Sequence, residues 1–416
     1  MKALVIGYGR SGKAAETLLR AEGAEVRVLR DEKRDRIDCD FDMAVVSPGI
    51  ALTHPWIVEA KRRGIPLKSE LQLGCEALRR RGWRLLAVTG SKGKSSVVKI
   101  VADAIATAGG EAVACGNYGV PVCEVANRAD ADAASGASRP DAPWAVVEVS
   151  SFMMETTELP PDAFEAAAIL NLQEDHLDRH GSVAVYHGLK RKLLTMAKTP
   201  LDYSGERTWS DLVRHGLDGG DELWGCSYYA GSYFDNEILI VNGAAAALLM
   251  EVAGVDGMTI RRAFRDFVPL PHRMNLVAER DGVRYVDDSK ATSLAALAAG
   301  VRMVPGNGAN VRLVAGGLAK GDDPKSVLAI LTRRVKKVYL IGRCADVFFA
   351  AWGAAVDCEV CGTMDRAVAS ARRDAARGET VLLSPGTASF DQFNSFEERG
   401  DVFARLVNKE GQKRNE

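Results

Sequence analysis

Short apolar runs alternate with amphipathic stretches along most of the chain. Near the N-terminus "KALVIG", "AEVRVL" and "DMAVVSPG" have the continuous apolar character of buried strands. Helix-like segments such as "SGKAAETLLRAEG" separate them. This is a βαβ rhythm, which predicts a parallel sheet covered by helices. A second unit opens at "WRLLAVTG" and continues through strand candidates "EAVAC", "WAVVEVS" and "EAAAILN" to the helical "NGAAAALLMEVAG". A third begins near "LPHRM", with "VRYVDDS", "VRLVAGG", "KVYLIG" and "TVLLSPG" as strands. The pattern predicts an α/β protein of three domains, 1–84, 85–267 and 268–416, each a mainly parallel sheet flanked by helices. The Ala/Asp/Ser/Pro-rich stretch from Arg128 to Pro143 is expected to be an exposed loop.

Length agrees with that division, since 416 residues exceed what one ordinary core accommodates. Lys and Arg total 54 against 55 Asp and Glu, so charge gives no reason to expect nucleic acid or an anionic membrane as partner. No apolar run approaches the ~18 residues of a membrane span. The opening "MKALVIGYGRSG" reads as a first strand rather than a signal peptide. Eight scattered cysteines suggest reduced thiols and a cytoplasmic setting. The lone C-x-x-C at Cys358 and Cys361 has no second pair of ligands nearby, and reads as part of a buried strand rather than a zinc site.

Chemistry concentrates at "VTGSKGKSSVV", residues 88–98. It ends like a phosphate-binding loop, but only Ser91 and Lys92 separate Gly90 from Gly93, where the usual loop has four residues. The apolar run before it is a strand. Val97, Ile100, Val101, Ala104 and Ile105 after it recur at helical spacing, up to Gly109-Gly110. A strand–loop–helix junction offers an anion free backbone N–H groups and the positive end of the helix dipole. Lys94 adds charge and Ser95 a hydroxyl able to ligate Mg²⁺. In the first domain Gly7-Tyr8-Gly9-Arg10-Ser11-Gly12 is a G-x-G-x-x-G after a strand, and Asp31 stands near the end of the next strand, where dinucleotide folds keep a ribose acid. Taken alone, that suggests NAD.

Further blocks narrow the choice. "TGSKGKSS", "VEVSSFMMETT" (147–157), "NLQEDHLDRHGS" (171–182), "DDSKATS" (287–293) and "LLSPGTASFDQFNSFEERG" (382–400) resemble the motifs of the Mur ligases. Folylpolyglutamate synthetases share the short loop but not the C-terminal blocks. The resemblance spans nearly the whole chain. It implies Rossmann-like outer domains around a P-loop ATPase-type centre, and ATP-dependent amide formation through an acyl phosphate. The implied substrates are a UDP-N-acetylmuramoyl peptide precursor, UDP-N-acetylmuramoyl-L-alanine, and glutamate of either hand; the implied cofactors are ATP and Mg²⁺. A monomer is expected.

By resemblance, ATP falls to Gly90, Ser91, Lys92, Gly93, Lys94, Ser95 and Ser96, with Asn242, Arg273 and Asp288. Mg²⁺ falls to Ser95, Glu148, His176 and Lys190, the lysine as a carbamate, because an unmodified ammonium would repel the ion. Lys94, Glu148, His176 and Lys190 form the implied catalytic set. The UDP-muramoyl substrate falls to Gly9, Arg10, Ser11, Asp31, Gly49, Asn117, Ser150 and His176, and glutamate to Lys290, Thr292, Lys320, Ser389 and Phe396. The chain departs from the family at Lys92 (an asparagine elsewhere), at Met153 (a glutamine), in lacking an "HN" pair before the alanine-rich helix, and in a short interval between Lys190 and Asn242. Those departures keep two alternatives open: a related ligase with another acceptor, and a nucleotide-binding homologue with impaired catalysis.

Overall fold

The computed structural model describes residues 1–31, 34–134, 142–205, 228–229, 232–234, 238–306, 308–319 and 321–409. Lys320 and most of the short interval before Asn242 lie outside the described residues. The chain forms two compact units, divided near Phe267.

The first unit holds two parallel sheets. Strands β1 (Lys2–Ile6), β2 (Glu25–Leu29), β3 (Met43–Val46) and β4 (Leu67–Ser69) lie in the order β2-β1-β3-β4. Helices α1 (Arg10–Ala21), α2 (Pro55–Arg62) and α3 (Glu70–Arg80) accompany them. Strands β5 (Arg84–Thr89), β6 (Ala112–Gly116), β7 (Trp144–Glu148), β8 (Phe164–Ile169) and β9 (Ala197–Asp202) follow in the order β6-β7-β5-β8-β9. β9 contains Pro200, which lacks the N–H that an interior strand needs; it occupies the sheet edge. The helices here are α4 (Lys94–Thr107), α5 (Val122–Ala134), α6 (Ser151–Met154), α7 (Leu177–His180), α8 (Val183–Lys192), α9 (Ile240–Val252) and α10 (Gly257–Arg265). α5 continues to Ala134, so the stretch expected to be loop from Arg128 begins as helix; residues 135–141 lie outside the described residues.

One apolar core runs through both sheets, from Ala3 and Val5 past Leu18, Leu71 and Leu78 to Val122, Val147 and Phe164. The Glu70 carboxylate, buried at the start of α3, accepts the Cys123 N–H at the start of α5 at 2.7 Å. Burial pushes that carboxyl up to about 7.

The second unit carries six strands: β10 (Asn275–Arg280), β11 (Val283–Asp287), β12 (Val311–Gly316), β13 (Val335–Ile341), β14 (Asp357–Gly362) and β15 (Thr380–Leu383). Their order is β10-β11-β15-β12-β13-β14, parallel except for the β10–β11 hairpin. Asp281 (φ 53°) and Gly282 (φ 76°) close that hairpin, the two positive φ values that a type I′ turn needs. Helices α11 (Leu294–Met303), α12 (Leu328–Arg334), α13 (Ala345–Trp352), α14 (Met364–Asp374) and α15 (Phe396–Asn408) cover the sheet. Cys358 and Cys361, three apart on β14, pack against the cores on opposite faces of the sheet.

Candidate active site

In an open parallel sheet, the crevice outside the carboxyl ends of the strands is where ligands bind, at the point where the strand order reverses. In the central sheet that place is the end of β5, between β7 and β8. The loop Gly90–Gly93 leaves β5 there and enters α4. Gly93 is left-handed (φ 85°), and a Cβ on it would lie 2.2 Å from Asn242 Nδ2. Asn242 is buried on α9, so the asparagine predicted near the nucleotide is packed directly on the loop. Ser91 N–H donates to the Asn171 carbonyl (3.0 Å), and its hydroxyl lies 3.0 Å from Tyr186 Oη. Lys92 N–H donates to Asn171 Oδ1 (2.9 Å), and Asn171 Nδ2 returns a bond to Lys92 O (3.0 Å). The Lys92 side chain is exposed, whereas Ser96 is buried in the first turn of α4.

Glu148 ends β7, 2% exposed. Its Oε2 accepts the Ser95 hydroxyl and its Oε1 the Asn117 amide, each at 2.7 Å. Ser95, Asn117 and Glu148 are therefore brought together. A carboxylate beside a hydroxyl is a hard all-oxygen donor pair, which suits Mg²⁺. Lys94 Nζ (2.9 Å) and Lys190 Nζ (3.0 Å) both donate to the Gly90 carbonyl. Burial first, and the neighbouring Lys94 charge second, lower Lys190 to about 7.

His176 makes no hydrogen bond to Ser95 or Glu148 among the contacts of the described residues. It caps α7 in left-handed backbone, its side chain 46% exposed beside Asp175, with the Phe152 ring 4.8 Å away. Among the described residues no three His, Cys, Asp or Glu side chains converge as a metal-ligand group. Ser150 caps α6 by accepting the Met153 N–H. Met153 itself, where the resemblance leads us to expect a glutamine, is buried in the core.

Sequence reading missed the residue that ties the blocks together, Arg179. It donates to both Glu155 oxygens (2.9 and 2.6 Å) and to the Ile50 and Pro48 carbonyls (2.7 and 3.3 Å). Its guanidinium lies over the Phe152 ring at 4.8 Å. The adjacent His180 reaches Glu155 (3.4 Å) and Ser151 Oγ (3.0 Å). Three motifs, 47–50, 150–155 and 176–180, thereby meet on one planar cation, whose fork suits bidentate carboxylate binding. The "DRH" run in the sequence was the available signal.

In the first sheet the reversal lies between β1 and β3. The Gly7–Gly12 turn follows β1 into α1, and the Ser47 hydroxyl donates to Gly7 O (2.9 Å). A Cβ on Gly12 would sit 2.0 Å from Gly7 O, so only glycine permits this close turn. Gly9 caps α1 with Arg10 and Ser11 in its first turn, and Arg10 donates to Gly119 O (3.2 Å). Gly49 is exposed on the loop after β3. Asp31 is exposed two residues beyond β2, its carboxylate 3.6 Å from Arg34. The residue directly after β2 is Arg30.

In the second unit, Asp288 follows β11, buried, with Oδ2 accepting the Ser384 hydroxyl at 2.9 Å; burial raises its carboxyl to about 7. Arg273 lies between two left-handed residues, His272 (φ 60°) and Met274 (φ 53°). The turn is held by Asn275 Oδ1 on the Arg273 N–H (2.9 Å) and by His272 Nδ1 against Asp287 Oδ2 (2.7 Å). Lys290 Nζ lies 3.8 Å from the centre of the Phe396 ring, and Phe396 is half-buried at the start of α15 rather than core. Ser389 is buried and Thr292 half-buried. The wholly buried Arg399, also unforeseen, donates to Ser289 Oγ (3.0 Å), Ser289 O (2.8 Å) and Thr387 O (3.1 Å). It fastens "DDSKATS" to "SPGTASFDQF", and burial lowers it to about 10.

These features define the class: three α/β sheets, a compact phosphate loop backed by a carboxylate, and a C-terminal sheet with a buried polar cluster at its strand ends. The chain belongs to the Mur ligase family, and it is a ligase. The Mur ligase middle domain matches residues 88–201, and the Mur ligase glutamate ligase domain matches residues 272–387. Similar proteins named UDP-N-acetylmuramoylalanine--D-glutamate ligase occur in Chlamydia caviae (32% identical, covering 98% of this chain and 97% of the relative) and Myxococcus xanthus (32%, covering 98% of each). In fold the chain resembles the UDP-N-acetylmuramate-alanine ligase MurC of Thermotoga maritima (TM-score 0.57, 14% identical, all of both chains). It also resembles the MurF ligase of the same organism, solved with ADP (TM-score 0.55, 15% identical, 93% of this chain and 98% of that one).

Proposed function

We propose that the protein joins D-glutamate to UDP-N-acetylmuramoyl-L-alanine at the expense of ATP, a step of peptidoglycan precursor synthesis carried out in the cytoplasm. The observation that carries this reading is the Ser95–Glu148 pair at the mouth of the phosphate loop, in a chain over 30% identical along its whole length to proteins of that name.

The substrate carboxylate attacks the γ-phosphorus of ATP, forming an acyl phosphate and releasing ADP. The glutamate amine then attacks the activated carbonyl and phosphate leaves. Such transfer needs positioning and charge stabilisation rather than a covalent protein nucleophile. The loop N–H groups and Lys94 would stabilise the transferring phosphoryl group, and Arg273 and Asp288 are likewise assigned to the nucleotide. Ser95 and Glu148 would hold Mg²⁺, with His176 and a carbamylated Lys190 as further ligands; the ion would neutralise phosphate charge. Lys290, Thr292, Lys320, Ser389 and Phe396 are assigned to glutamate. Arg10, Ser11, Gly9, Gly49, Asn117 and Ser150 are assigned to the UDP-muramoyl substrate.

The test is phosphate release from the purified chain with MgATP and UDP-N-acetylmuramoyl-L-alanine, adding D- or L-glutamate in parallel. Release with D-glutamate alone is expected. Release with L-glutamate alone would change the product, and none with either, despite ATP binding, would mark a catalytically impaired homologue.

A further inference from the structure

His176 stands in left-handed backbone (φ 52°, ψ 36°), a conformation that strains a residue carrying a Cβ. The other described non-glycine residues with positive φ are His272 and Met274, which flank Arg273, and Asp281, which closes the β10–β11 hairpin. Such strain persists only where the surroundings over-determine it. The Asp175 carboxylate accepts the His176 N–H at 3.0 Å, but that bond is local and exposed.

The firmer hold comes from the far end of α7. The His176 carbonyl accepts the N–H groups of Arg179 (3.1 Å) and His180 (3.0 Å), so its backbone follows wherever that single turn is fastened. The His180 side chain is buried, with Nε2 3.0 Å from Ser151 Oγ and Nδ1 3.4 Å from Glu155 Oε1. A carboxylate beside Nδ1 selects the tautomer protonated there, which leaves Nε2 to accept the Ser151 hydroxyl. The Phe152 and Tyr186 rings lie 5.4 and 5.6 Å from the His180 ring, and 4.8 and 6.2 Å from that of His176. Ser151 opens α6 just after Glu148 ends β7, so His180 joins the turn bearing His176 to the strand end bearing Glu148. Serine, histidine and carboxylate in that order have the form of a nucleophile triad, but Ser151 is only 2% exposed and is shut off from substrate. The arrangement is a strut.

We propose that His180 is a positioning residue: bridging Ser151 and Glu155, it holds His176 in its left-handed conformation and so presents the His176 ring to the divalent ion of the reaction. The inference rests on the reading that His176 is a ligand of that ion. Groups that orient a metal ligand without touching the metal are worth about ten- to a hundredfold in affinity. His180 acts in the same way, through the backbone of α7 rather than through a bond to the ligand ring.

The experiment is Mn²⁺ binding to the full chain in the presence of ADP, followed by the paramagnetic resonance signal of the free ion. It compares the native protein with His176→Ala, His180→Phe, His180→Gln and the double variant of His176→Ala with His180→Phe. Phenylalanine keeps a ring against Phe152 and Tyr186 and loses both bonds, whereas glutamine can keep one. His176→Ala and His180→Phe are each expected to weaken Mn²⁺ binding about tenfold, and His180→Gln less. The double variant should bind no more weakly than His176→Ala, because a residue acting only through His176 then has nothing left to position. Thermal unfolding checks that each variant folds, and His180→Gln takes the place of His180→Phe in the cycle where the latter does not. Weaker binding by His176→Ala with none by His180→Phe, or losses that simply add, would overturn this inference and leave the ligand reading standing. Unchanged Mn²⁺ binding by His176→Ala would sink that reading, and this inference with it.

Discussion

The Ser95 hydroxyl and the Glu148 carboxylate meet at 2.7 Å across the junction of α4 and β7. One residue opens the helix after the phosphate loop and the other ends the neighbouring strand, so the contact exists only because β5 and β7 are paired. Glu148→Gln keeps an acceptor for Ser95 but removes the negative charge. Phosphate release is expected to fall by about 100-fold, the scale seen on losing one preorganised electrostatic group. The Mg²⁺ concentration for half-maximal rate should rise, and a magnesium titration of the residual rate checks it.

Gly93 cannot accept a side chain. Alanine there meets the Asn242 amide at 2.2 Å and also the left-handed backbone, which costs about 1–2 kcal/mol. Gly93→Ala should abolish measurable ATP binding by calorimetry. Adding Asn242→Ala relieves the collision but not the backbone strain, so the double variant should recover only part of the affinity.

Arg179 holds together segments that the proposed function assigns to the muramoyl substrate. Arg179→Lys retains charge but cannot serve Glu155 bidentately while also reaching the Pro48 and Ile50 carbonyls. The KM for the muramoyl substrate should rise about tenfold or more, with the KM for ATP nearly unchanged. Steady-state kinetics with each substrate varied in turn separates the two.

Lys190 is depressed to about 7, so above that pH its buried amine is largely neutral. A neutral amine adds carbon dioxide, giving a carbamate and a proton. Labelled bicarbonate should therefore produce a carbamate carbon signal by NMR above pH 7, absent in Lys190→Met. For the unmodified protein the sign of the stability effect is also fixed. The unfolded lysine, near 10.5, binds the proton that the folded one has shed, so stability rises with pH between about 7 and 10.

Glu70 carries the opposite sign. Its carboxyl is raised to about 7, so the folded state holds a proton that the unfolded chain loses near 4.5. Stability from this group is present below pH 4.5 and lost as pH rises to about 7, by about 3 kcal/mol at most. Glu70→Gln, still able to accept from Cys123, should flatten denaturant midpoints across that window.

The strands bearing the phosphate loop and Glu148 were legible in the sequence because parallel strands buried on both faces are written as unbroken apolar runs, and β11 before Asp288 was legible although Arg284 interrupts it. β9 and β10 were not. The first is an edge strand carrying a proline, and the second is half-exposed and alternates irregularly. Motif reading found residues that touch one another locally or end a strand, such as Ser95 and Glu148. It missed Arg179 and Arg399, whose roles come from partners over a hundred positions away, Ile50 and Ser289. Asp31 stands near the end of β2, as its place in the sequence suggested, two residues beyond the last strand residue.

The reciprocal pair of bonds between Lys92 and Asn171 fastens the loop to the segment that follows β8. A longer phosphate loop can close around its anion on arrival, which slows capture and adds an entropic penalty. This shortened one is tied by its own backbone to the segment after β8. Nucleotide should enter at a rate set by diffusion and charge rather than by loop ordering, and the heat of binding should show little of the compensating entropy that a closing loop would leave.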